Sequence, residues 1–160
     1  MKLSKPEVIQ VFIGFFKDEL ALLTESAKAA HLAATHEEAK SEDKHDTRAT
    51  EASYLAKGQA KRVAELETTL IEFQRYLESA RPFTEPVEGA LLELETDGKV
   101  SHSFFAKSAG GAQVKVSGAS ITVLTRSSPL GQMVAEASLN EEMEVETKNG
   151  LKTYRLKAIF

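Results

Sequence analysis

Carboxylates are concentrated in one polar run of the chain, Thr35-His36-Glu37-Glu38-Ala39-Lys40-Ser41-Glu42-Asp43-Lys44-His45-Asp46-Thr47-Arg48, which holds five of them against three fixed positive charges. Carboxylate oxygens are hard ligands, and Mg²⁺ takes one or two of them together with waters and substrate phosphates. A magnesium ion carried by such a run to the side of a second metal could activate a water for phosphodiester hydrolysis. Asp46 with Glu51, or Glu42 with Asp43, are the candidate pairs, and spacing alone does not choose between them. The ordinary reading of the same run is a solvated connection between two helices. Asp46 also has a structural reading, as the residue that caps the following helix and faces the positive end of its dipole.

Little else offers chemistry. His31 and His36 are five apart, His45 lies beyond them in the polar run and His102 belongs to the other half of the chain, so the histidines form no metal motif and each is expected at the surface. No Ser/His/Asp set, phosphate-binding loop or dinucleotide fingerprint can be assembled. The chain has no cysteine, which excludes disulfides, thiol catalysis and Cys-type zinc sites and suits a reducing compartment. An enzyme with its own catalytic centre is therefore not expected.

Acidic residues outnumber basic ones by 24 to 20 in 160 residues, a formal net charge of -4. Through Arg81 there are 12 basic and 14 acidic residues, and after it 8 and 10, so neither part is a basic module. Direct binding to duplex DNA needs a dense basic surface, and any work on nucleic acid would run through a protein partner. No stretch approaches the roughly 20 apolar residues of a membrane span, and Lys17, Asp18 and Glu19 interrupt the first apolar run. A cytoplasmic, soluble protein is expected.

The elements that would position the acidic run are two long helices. Ser4-Lys5-Pro6-Glu7 reads as a helix start, with Ser4 as N-cap, Glu7 completing a capping box and proline in the first turn. The seam Ile9, Ile13, Phe16, Leu20, Leu23, Ala27, Ala30, Ala34 then advances in steps of four and three. A second seam, Ala49, Ala52, Ala56, Gln59, Val63, Leu66, Leu70, Phe73, Leu77, does the same before Pro82 closes the helical half. Large residues begin the first seam and end the second, with alanines between. Folding the chain back as an antiparallel coiled-coil hairpin sets large against large and alanine against alanine. Arms of about 28 residues would reach roughly 40 Å. Alanine seams bury little area, so a narrow rod of this kind points to insertion into something. A helical spacer or self-associating pair is the plainer alternative.

After Pro82 the pattern changes to short alternating runs punctuated by glycine. Ala90–Thr96, a turn at Asp97-Gly98, Val100–Ala106, Gln113–Val116, Ile121–Thr125, Met143–Thr147 and Thr153–Lys157 read as strands, with a short helix opening at Ser128-Pro129-Leu130-Gly131. The expectation is α+β: residues 1–81 a helical hairpin with its acidic tip near 36–48, and residues 82–160 an antiparallel sheet of about five strands with one short helix.

Ser128-Pro129-Leu130-Gly131 resembles the Ser-Pro-Leu-Gly turn of the Gre family of bacterial transcript-cleavage factors, and the tail from Glu142 to Leu156 is similar to that family's closing hairpin. The order of parts agrees over nearly the whole chain. The resemblance implies an FKBP-like C-terminal domain that docks on bacterial RNA polymerase, in part through the turn at 128–131, and a coiled coil that enters the polymerase's secondary channel. It implies that tip carboxylates help hold a Mg²⁺ shared with the polymerase, whose own active site then cleaves backtracked RNA. The factor would meet nascent RNA only inside that complex, act as a monomer and bind no membrane. The family's tip reads approximately Gly-Asp, two residues, Glu-Asn-Ala-Glu-Tyr. The first Asp and the first Glu work as the pair; here Ala52 and Tyr54 match, Thr47 and Thr50 stand at the positions of that pair, and Asp46 and Glu51 are each one residue away. That shift leaves open a second expectation, a secondary-channel regulator that binds polymerase without promoting cleavage.

Overall fold

The structure, a computed structural model, describes the backbone of residues 2–40 and 47–160, with side chains over 2–26, 28–29, 31–33 and 57–160. The fold is α+β: two N-terminal helices, then a mixed six-stranded sheet with a third, short helix. Helix α1 spans Lys5–Lys40 and α2 spans Thr47–Glu78. The chain forms two compact units. One combines Met1–Phe12 with Glu72–Phe160, and the other is Ile13–Ile71.

In the first unit the strands are β1 (Leu91–Thr96), β2 (Lys99–Phe105), β3 (Gln113–Val116), β4 (Ala119–Leu124), β5 (Glu142–Thr147) and β6 (Gly150–Ile159), in the sheet order β3-β4-β2-β1-β6-β5. Asp97 and Gly98 both take positive φ, 51° and 70°, the condition for a two-residue turn whose twist matches its strands. The expectation of an antiparallel sheet of about five strands is corrected: among the described residues there are six, and β2 pairs with β4 in parallel, His102 opposite Ile121 through Phe105 opposite Leu124. The physical reason lies in the route of the chain. It leaves β2, returns as the edge strand β3, and reverses at Ser117-Gly118 so that β4 enters the gap beside β2. Two reversals restore the direction of β2.

Consecutive side chains of a strand face opposite sides, so the two phenylalanines at the end of β2 serve two cores. Phe105 joins Ala90, Leu92, Leu94, Met143, Val145 and Leu156 under helix α3 (Pro129–Glu136), which contributes Val134. Phe104 turns to the other face, where its ring centroid lies 6.0 Å from Phe12, 5.4 Å from Phe73 and 5.6 Å from Tyr76. The start of α1 and the end of α2 thus supply an aromatic cover for the sheet within this unit.

In the second unit α1 and α2 are tied in opposite directions. Glu19 pairs with Arg62 at 3.2 Å, and Ser26, further along α1, pairs with Gln59, earlier on α2, at 2.8 Å. Burial falls along the first seam, from Ile13 and Phe16, which are buried, to Leu20 and Leu23, which are half-buried. Among the described residues no helix is long and apolar enough to cross a membrane.

Candidate functional site

Glu42, Asp43 and Asp46 lie outside the described residues. Glu51 belongs to the backbone of α2, and its side chain also lies outside them. The chemistry of the donors suits Mg²⁺, since all four are hard carboxylates. Among the described residues no group of three or more His, Cys, Asp or Glu side chains could hold a metal ion.

The turn at 128–131 is described in full, and each of its four residues has a distinct physical role. Ser128 is the N-cap of α3: its Oγ accepts from the Gly131 N–H at 3.1 Å and donates to the Thr125 carbonyl at 3.0 Å. Pro129 occupies the first helical turn, where its missing N–H costs nothing. It is the exposed member of the four, while Leu130 packs partly buried against the core under α3. Gly131 is buried, and a Cβ placed on it would stand 1.8 Å from the Thr125 carbonyl oxygen. Only glycine allows α3 to start this close to the end of β4.

Two polar clusters were not legible in the sequence. Near the end of α2, one Glu72 oxygen accepts from the N–H of Lys107 at 2.8 Å, the N–H of Ser108 at 3.2 Å and the Tyr76 hydroxyl at 2.6 Å. The other Glu72 oxygen accepts from the Ser108 hydroxyl. A single carboxylate thus satisfies the N–H groups of Lys107 and Ser108 in the connection between β2 and β3. Burial, then the Glu72 hydrogen bond, raise the Tyr76 pKa far above its usual value. At the start of α1, Lys5 is 7% exposed and donates to the carbonyl oxygens of Arg81 and, at 3.0 Å, Phe160. Its ammonium sits 4.0 Å from the Phe83 ring centroid. Burial and the neighbouring Arg81 charge lower its pKa to about 8. Neither cluster has a sequence signature, because the partners are far apart in the chain.

His102 differs from the surface histidine expected. It stands directly opposite Glu93 on β1, with Nε2 3.4 Å from the carboxylate and only 20% of its side chain exposed. A small cavity of about 310 Å³ opens beside the pair, lined also by Lys2, Leu3 and Phe160.

No family model matches the chain, and no curated protein matches it. Among solved structures it is similar to the GreA factor homolog 1 (Gfh1) protein of Thermus thermophilus, at 16% identity and a TM-score of 0.37, over 92% of this chain and 94% of that one. Gfh1 of Thermus aquaticus is similar at 18% identity and a TM-score of 0.39, over 99% and 97%. A third structure, of the transcription factor Gfh1, is similar at 15% identity and a TM-score of 0.38, over 93% of each chain.

Proposed function

We propose that this chain is a Gre-type accessory factor: it binds bacterial RNA polymerase, places its helix pair in the secondary channel and stimulates cleavage of backtracked RNA by the polymerase's active site. The observation that carries the reading is the helix pair itself. Helices of 36 and 32 residues are about 54 and 48 Å long, yet their seams shrink from phenylalanine and leucine to alanine. Stability gives little reason to build the alanine part, because it buries little apolar area; reach and slenderness give one. The turn at Ser128-Pro129-Leu130-Gly131 supports the same reading as part of the polymerase-docking surface, with Pro129 its exposed member.

Asp46, with Glu51 or with Glu42 and Asp43, would hold the Mg²⁺ shared with the polymerase. When bound, such an ion supplies Lewis-acid activation of a water. The chain's own part is to bind, orient and deliver these carboxylates. Adding the protein to a backtracked bacterial elongation complex is expected to release short 3′ RNA fragments, and Asp46→Ala should reduce that release at least tenfold. Cleavage no faster than the polymerase alone would overturn the reading.

One sequence observation favours a second reading. Thr47 and Thr50 occupy the positions of the first Asp and the first Glu, the working pair of the Gre pattern, which suits a secondary-channel regulator that binds polymerase and alters initiation without cleavage. A polymerase pull-down separates the cases: binding without fragment release favours the regulator, and no binding removes both.

A further inference from the structure

Gln59 is the one polar residue in the second seam, between Ala56 and Val63. Its Nε2 donates to the Ser26 hydroxyl at 2.8 Å, and its Oε1 is enclosed with no hydrogen-bond partner among the described residues. Close by, Arg62 meets Glu19 at 3.2 Å. An amide in an apolar seam is a poor choice for stability, because a leucine would fill the same place with no acceptor left unpaired. A polar seam residue does something leucine cannot. It tolerates only those alignments of the two helices that give it a polar neighbour, and so selects one alignment at a cost in stability.

The location of Gln59 gives this selection a purpose. Toward one end of α2 the seam residues Leu66 and Phe73 are buried, and their shapes define how the helices meet. Toward the other end the seam is Ala56, Ala52 and Ala49, whose uniform methyl groups distinguish poorly between one alignment and the next. The Ser26–Gln59 bond stands at the change from one regime to the other.

We propose that Ser26 and Gln59 are positioning residues: their hydrogen bond selects a single alignment of α1 against α2 where the seam passes from large residues to alanine. The consequence for polymerase rests on the function proposed above; the alignment itself is a property of the free protein and is tested there. The chain contains no cysteine, so cysteines introduced at the exposed positions Thr24 and Lys61 can carry spin labels without a background. Pulsed EPR should show one narrow distance in the otherwise unchanged protein. Gln59→Leu should melt at the same or a higher temperature and yet show a second distance, from helices slipped along their axes by about one turn, 5.4 Å; because the two labels lie at the same level, the change in distance is smaller than the slip. Ser26→Ala should show the same second distance, since Ser26 is exposed and its loss removes the selecting partner while leaving the Gln59 NH₂ to water. A lower midpoint in Gln59→Leu, or one unchanged narrow distance in that variant, would overturn the proposal, whatever the polymerase assays report.

Discussion

Single side chains decide how α3 is seated. A Cβ at position 131 would meet the Thr125 carbonyl at 1.8 Å, and that obstacle is backbone. Gly131→Ala must therefore push α3 away from β4, and a loss of about 3 kcal/mol is expected in urea denaturation. Ser128→Ala removes the cap and the Oγ bond to the Thr125 carbonyl, so its loss should be about 1–2 kcal/mol. Tyr76 makes a different prediction. Its folded-state pKa is raised by burial and by Glu72, so its contribution to stability is whole below its unfolded pKa of about 10. That contribution is lost as the pH rises through the folded value. Urea midpoints of Tyr76→Phe should consequently fall less steeply than those of the parent above about pH 10. The turn at 128–131 was legible because capping and close approach are local demands on local residues. Glu72 was not, since its four donors come from its own helix and from a connection on the far side of the sheet's first hairpin.

Among the elements, the two long helices differ in worth along their lengths. Phe73 is fully buried, with Phe12 and Phe104 at 5.5 and 5.4 Å. Phe73→Ala should cost about 3–5 kcal/mol by thermal or urea denaturation. Leu22 is 73% exposed, and Leu22→Ala should stay within about 0.5 kcal/mol. The helical period and the strand alternation were both legible, because burial on one face imposes a repeat that survives in the sequence. The parallel pairing of β2 with β4 was not. Alternation states which side of a strand is buried and is silent on which strand lies beside it, and here a hairpin formed by β3 and β4 inserts with its second strand inward. The acidic run was legible as composition, while the placement of its carboxylates lies outside the described residues.

For the molecule as a whole, the compact unit that contains the sheet also contains Met1–Phe12. Val8, Ile9 and Phe12 are completely buried there. Removing residues 2–12 should therefore unfold the sheet-bearing unit, although no strand is touched, and loss of its dispersed amide spectrum is the measurement. A variant lacking only those residues that kept a native sheet spectrum would show that the part of the cover supplied by α1 is dispensable.

The same arrangement sets a timetable for a growing chain. Phe12 is translated long before Phe104, its partner across the sheet's aromatic face, and at about 5–20 residues per second the delay amounts to several seconds. During that interval Val8, Ile9 and Phe12 are greasy and unclaimed, a site that chaperones or neighbouring nascent chains would find. Phe73 emerges sooner and meets Phe12 directly. A helix pair that closes early would therefore shelter the first residues of the chain until the strands arrive to take them over.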